Sequence, residues 1–290
     1  ALVFDGTGAA PRREDVAFAD GRIAARGPAL DPTRAQRVVD ATGRWLTPGL
    51  LDIHTHLDLE VELAPGLPES VRHGTTTVVV GNCSLGTAFG AQRRNGEDPI
   101  LDCFTRVENV PKSVLRKVVD RIDWDTTAGY LEHLAALPLG PNVVPLLPHS
   151  MLRIEVMGTA AAVSRAPTAA ELARMAVLLD EAMRQGYAGF STDAIPFHYL
   201  ANAPHADKRI PAQHASLGEL RRLLEVVRGH DRVWQCTPDA ADRFRTFLRF
   251  FFTSGRLFGR PLKTSALTAV DLTHERNTWK LFPLVAGLLN

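Results

Sequence analysis

The sequence predicts an α/β barrel, incomplete at about six βα units, joined to part of a small β domain. Three observations predict it. Six short apolar runs after Pro48 alternate with amphipathic segments, the pattern of parallel βαβ units. Residues 1–46 have a different texture, short strand-like pieces broken by Gly-Thr-Gly, Asp-Gly and Gly-Pro turns. The first apolar run ends in His-Thr-His, where an open nucleotide-binding sheet would carry a glycine-rich phosphate loop.

Taken in order, the small β domain is predicted to hold strands at 1–4, 16–18, 22–24, 37–39 and 44–46. The barrel region, 47–290, is predicted to hold strands at 50–54, 75–80, 143–147, 188–191, 233–236 and 262–265. Helices between them carry their own boundaries. Thr168 and Glu171 form a capping box ahead of a long amphipathic stretch that Gly186 closes, and Ser216 with Glu219 repeats the device ahead of a helix closed by Gly229. A third helix is expected over 240–253, with Phe244, Phe247, Phe250 and Phe251 at helical spacing as a core stripe. Both chain ends read as cut, so the expectation is a piece of a longer protein, truncated before the last two strands and inactive by itself.

Composition narrows the function. With 45% hydrophobic residues among 290, the chain can bury a large core. Its 33 basic and 32 acidic residues give a net charge of +1, which offers no support for nucleic-acid or membrane-surface attraction and leaves a small molecule as the expected partner. Cys83, Cys103 and Cys236 are too scattered for a disulfide framework, and no apolar stretch approaches the roughly 18 residues of a membrane span. A soluble, cytoplasmic protein is expected, its oligomeric state open.

Barrel chemistry sits where strands end. There the sequence offers His54 and His56, then Asn82 and Cys83, His149 and Ser150, Ser191 and Asp193, and Cys236. Alternation along a strand puts His54 and His56 on one face, the geometry a metal needs, although two histidines can equally fill a core. Zinc accepts imidazole and thiolate, and a metal that lowers the pKa of its water to about 7 while polarising a carbonyl can hydrolyse amides.

VVDATGRWLTPGLLDIHTHLD, residues 38–58, followed by HGTTTVVVGNCSLG, residues 73–86, resembles the amidohydrolase superfamily and specifically its D-aminoacylase (N-acyl-D-amino-acid deacylase) branch. PHSMLR at 148–153 and EAMRQGYAGFST at 181–192 extend the resemblance over most of the chain. It implies a TIM-like barrel beside a small β-sandwich domain, one or two zinc ions, and water attack on an N-acyl amide. Carried over by position, His54 and His56 are ligands and Cys83 is a thiolate ligand. The resemblance also implies an aspartate general acid/base at the end of strand eight, which would lie beyond Asn290.

The chain departs from the family pattern after strands four, five and six; the Ser-Thr-Gly-Leu pattern after strand four becomes Ser191, Thr192, Asp193, Ala194. Where strand five ordinarily ends in a histidine, the string is QCTPD, with Cys236 as a further candidate ligand. Where strand six ordinarily carries histidine and lysine, Ser265, Ala266, Leu267 and Thr268 stand. His149, Arg153 and Ser191 are candidates for substrate binding, Arg153 through its bidentate fork. Asp58 and Glu60 are candidates to orient the imidazoles. The segment with His198, His205 and His214 is a candidate lid or a plain surface loop. The expected activity is hydrolysis of an N-acyl amino acid. The rivals are a cyclic amide or hydantoin-type hydrolase and a catalytically inactive binding or scaffold protein.

Overall fold

The computed structural model describes residues 1–90, 92, 97–239, 243–255 and 260–267. The chain divides into two compact units, Ala1–Leu50 and Leu51–Asn290. In the first, β1 (Leu2–Val3) lies between β2 (Arg12–Arg13), antiparallel to it, and β5 (Trp45–Leu46), parallel to it, while β3 (Asp15–Ala19) and β4 (Arg22–Gly27) form a separate hairpin. The Asp20-Gly21 turn closes that hairpin with both residues at positive φ, as a tight two-residue connection requires. The strand expected at 37–39 does not form. Val38 and Val39 are 64% and 70% exposed, so their β-branched character finds no face to bury and propensity alone does not make a strand.

The second unit is built on a six-stranded sheet in sequence order: β6 (Leu50–Asp52), β7 (Thr75–Val80), β8 (Asn142–Pro148), β9 (Gly189–Thr192), β10 (Val233–Cys236) and β11 (Lys263–Ala266). The pairs from β7 to β11 are parallel, and the curled sheet is an incomplete TIM-like barrel. Helices fill the crossovers: α1 (Glu60–Leu63) and α2 (Pro68–Arg72), then α3 (Pro99–Val107), α4 (Lys112–Val119) and α5 (Thr127–Ala136). After β8 come α6 (His149–Met157), α7 (Thr159–Ala162) and α8 (Ala169–Gln185), and later α9 (Leu217–Gly229) and α10 (Arg243–Thr253).

Apolar stripes decide how these helices pack. Met175, Leu179 and Met183 of α8 and Leu220, Leu223, Leu224 and Val227 of α9 are buried together, each side chain contributing about 1.5–3 kcal/mol by leaving water. Thr168 and Glu171 make both bonds of the capping box, and Gly186 ends α8 in the left-handed region. The second box is only half made. Ser216 accepts from Glu219 N–H, but the Glu219 carboxylate turns inward to Arg153 and His149 instead of returning to the cap. The aromatic stripe of α10 is also divided. Phe250 packs on Trp234 with ring centroids 5.6 Å apart, whereas Phe244 is 72% exposed. Residues 240–242 and Thr268 fall outside the described residues.

Candidate metal centre

The strand β6 ends at Asp52, so His54 and His56 lie just past it rather than alternating within it. Asp52 Oδ1 accepts the His54 N–H at 3.3 Å, which turns the chain out of the sheet. The two rings still approach, with centroids 5.5 Å apart in an edge arrangement. After β7, Gly81 bends the chain with φ +79°, where a Cβ would meet the Leu146 carbonyl oxygen at 2.4 Å. Only glycine fits there. Cys83 and Ser84 follow at φ +49° and +67°, a left-handed path that ordinary side chains resist.

A web of buried hydrogen bonds holds that turn. Asp58 Oδ1 accepts from Gly81 N–H at 2.8 Å, and Asn82 Nδ2 donates to the Thr55 and Val79 carbonyls. Gln235 Oε1 accepts from Cys83 N–H at 3.0 Å, Ser191 Oγ accepts from Ser84 N–H at 3.1 Å, and Ser191 Oγ donates to the Gly81 carbonyl. The turn thereby brings Cys83 Sγ to 3.3 Å from His54 Nε2. His54, His56 and Cys83 offer three ligand atoms within 4.8 Å of one another, the one such cluster among the described residues.

The donor chemistry suits a divalent cation. Burial, with His54 and His198 nearby, pushes His56 down to about 4, and burial also lowers His54, so both rings are neutral near pH 7 with a lone pair to give. Glu108 Oε1 stands 3.4 Å from His56 Nε2, and His56 Nδ1 is buried and without a hydrogen-bond partner. Burial, then the carboxylates of Asp193, Glu108 and Asp58, drive the Cys83 thiol well up. A cation would reverse that by stabilising the thiolate.

The other candidates have different surroundings. Cys236 lies outside the cluster. Alternation along β10 puts Gln235 on the face of Cys83 and Cys236 with Trp234 on the opposite face, in the apolar core beside α10, with Sγ 3.8 Å from the Ser265 carbonyl. Arg153, 0% exposed, gives Nη1 to Glu219 and Nη2 to the Ala162 and Arg165 carbonyls, so its fork does not face a substrate. His149 is equally buried and shares Glu219 at 2.9 Å, and Ser191 is engaged by the Cys83 turn. Asp58 orients the main chain at Gly81 rather than an imidazole, and Glu60 opens α1 with no bond to either ring among the described residues.

Glu108 and Gln235 were not singled out by the sequence. Glu108 could not be, because it meets His56 only through the packing of α3. Gln235 carried a usable signal, since period-two alternation separates it from Trp234 and Cys236. The segment 193–216 is held down on its own anchors: Asp102 Oδ1 accepts from Ala201 and Asn202 N–H, and Arg106 pairs with Asp207 and lies over Tyr199. Within it Asp193 orients His198 at 3.0 Å while also accepting from Thr237, Gln213 and Ile195.

A family model described as "Amidohydrolase family" matches residues 37–230. An uncharacterized protein of Mycobacterium tuberculosis is 44% identical over 296 residues, covering 100% of this chain and 47% of that protein. The N-acyl-D-aspartate deacylase of Alcaligenes xylosoxydans xylosoxydans is 38% identical over 210 residues, covering 72% of this chain and 38% of its own. Among solved structures, D-aminoacylase superposes with a TM-score of 0.72 at 26% identity, covering 99% of this chain and 55% of that one. An N-acyl-D-glutamate deacylase from Bordetella bronchiseptica, complexed with zinc and a phosphonate mimic of the tetrahedral intermediate, gives 0.71 at 26%, covering 99% and 54%. The chain spans about half the length of the curated relatives it matches. No helix among the described residues is long and apolar enough to cross a membrane.

Proposed function

The chain belongs to the amidohydrolase family and aligns with its D-aminoacylase branch, and from that premise we propose that it hydrolyses the amide of an N-acyl-D-amino acid, with zinc held by His54, His56 and Cys83. The observation that carries the reading is the meeting of the three donors at the strand ends, with Cys83 Sγ 3.3 Å from His54 Nε2. A zinc ion there would lower the pKa of water to about 7 and polarise the acyl carbonyl. The chain's own residues supply the frame. His54 presents Nε2 to Cys83, and the unpartnered Nδ1 of His56, with Glu108 beside the opposite nitrogen, is the atom proposed to join it. Asp58, Gln235 and Ser191 hold the turn that aims Cys83, and burial keeps bulk water from its thiol.

One ion rather than two is favoured by the ends of β10 and β11. Thr237 is committed to Asp193 and Ala194, and Ala266 and Leu267 offer no donor side chain. The D-aminoacylase whose binuclear centre is described in terms of one-metal activation and second-metal attenuation is compatible with that count. The same substitutions give the scaffold reading its one argument.

The test is elemental analysis of the intact protein beside a Cys83→Ala variant, followed by a screen of N-acyl-D-amino acids that includes aspartate and glutamate. About one zinc per chain, lost in the variant together with amide hydrolysis, is the expected result. Full metal content with no hydrolysis of any member of the screen would leave a metal-binding scaffold, and an unaltered content in the variant would remove Cys83 from the site.

A further inference from the structure

Gln235 occupies an unusual position in the barrel. It projects from β10 on the face opposite Trp234 and Cys236, is 1% exposed, and reaches across the sheet to the turn after β7. Its side-chain oxygen accepts the Cys83 N–H at 3.0 Å, a bond between residues 152 positions apart. That bond fixes which end of the carboxamide is which, because a backbone N–H can only meet the oxygen. The nitrogen is therefore defined too. Gln235 Nε2 is buried without a partner among the described residues, on the same carboxamide whose oxygen meets the main chain of Cys83, a member of the His54, His56 and Cys83 cluster.

The oxygen half of this arrangement satisfies a buried main-chain donor, while the nitrogen half satisfies nothing among the described residues. An apolar side chain of similar volume would remove the unmatched Nε2 but leave the buried Cys83 N–H without its acceptor, so the carboxamide trades one orphaned donor for another. Cys83 also has no intrinsic preference for its backbone state, since φ +49° is a left-handed conformation that favours glycine or asparagine. An external acceptor on its N–H stabilises the turn that directs Sγ at His54.

We infer that Gln235 is a bifunctional positioning residue: its carbonyl locks the Cys83 turn in the ligand-presenting conformation, and its Nε2 donates a hydrogen bond to the acyl oxygen of a substrate bound at the cluster. The second role rests on the function proposed above. Negative charge grows on the acyl oxygen when water adds to an amide, and a fixed N–H beside it strengthens as the charge develops. The site accordingly selects an acyl group small enough at its carbonyl end to reach a donor recessed below the surface.

Three variants of the intact protein separate the roles. Gln235→Met removes acceptor and donor at similar volume, Gln235→Asn withdraws both by one methylene, and Gln235→Glu keeps an oxygen for Cys83 N–H but deletes the donor. The probe is Co²⁺ alone, read by its affinity and by the thiolate-to-cobalt charge-transfer band, alongside kcat and KM on an N-acetyl-D-amino acid. Gln235→Met and Gln235→Asn should lose about 10–100-fold in Co²⁺ affinity with a weakened band, the range expected for groups that orient a ligand. Gln235→Glu should keep the band while kcat falls about 100-fold, the effect of losing one fixed donor. A wild type with the band that Gln235→Met and Gln235→Asn leave unchanged overturns the inference alone. A wild type without the band removes the metal reading on which it stands, and the inference with it.

Discussion

Two buried polar clusters share the same α/β unit and differ in how completely they are bonded. Around Arg153, Glu219 and His149 opposite charges meet, two further carbonyls accept from the guanidinium, and Nε of Arg153 is the one side-chain atom without a partner among the described residues. Around Cys83, four such atoms are unpartnered: His56 Nδ1, Asp58 Oδ2, Asn82 Oδ1 and Gln235 Nε2. Each of these costs about 1–3 kcal/mol if nothing meets it, so the second cluster is tolerated at the expense of stability while the first contributes to it. Completeness separates a strut from a site.

Breaking the strut should give the largest effect. Glu219→Gln leaves the Arg153 guanidinium buried without its countercharge, and the expected loss is about 3–5 kcal/mol in denaturant unfolding. The pH dependence adds a sign. Although burial opposes it, the bonds from His149 and Arg153 hold Glu219 down to about 2, so its stabilisation is present above the usual carboxylate range and is lost as pH falls from about 4.5 through 2. His149, lowered by burial, acts in the same direction below about 6.5, because the unfolded chain then takes up a proton that the folded one does not. Wild type should weaken on acidification, and Glu219→Gln should flatten the lower part of that profile. A variant within 1 kcal/mol of wild type would mean the strut contributes little.

The next effect belongs to the site. Gly81→Ala must place a Cβ against the Leu146 carbonyl oxygen and keep a positive φ, at a cost of about 1–3 kcal/mol, and should also lower Co²⁺ affinity by displacing Cys83. If stability drops but affinity holds, the turn does not aim the thiol. The smallest effect sharpens the comparison through the caps. Thr168→Ala removes a complete capping box and should cost about 1 kcal/mol. Ser216→Ala removes half of one and should cost less, since Glu219 already faces the strut.

Much of this was readable beforehand. The runs at 75–80 and 233–236 form strands over those same residues, because continuous β-branched or apolar stretches between turn signals have few alternatives. His54, His56 and Cys83, singled out by their place at strand ends and by the family resemblance, come together in the fold. What escaped was set by distance along the chain. Glu108 reaches His56 through the packing of α3, and Glu219 leaves its cap for an arginine 66 positions away, so no local pattern announces either. Arg153 illustrates the converse, since the fork expected for a substrate spends Nη1 on the two Glu219 oxygens and Nη2 on two main-chain carbonyls. Cys236 was a candidate because it stands where the family pattern has a histidine, and the structure leaves it outside the His54, His56 and Cys83 cluster.

The backbone at Cys83 sets conformation against chemistry. A left-handed residue in a protein shaped only for stability would drift toward glycine or asparagine, which adopt φ near +49° at little cost. Cysteine gains nothing there from its conformation, and its sulfur sits among carboxylates that oppose ionisation. The side chain and the backbone therefore ask for different residues at this position, so a substitution chosen only to relax the turn would remove the thiol.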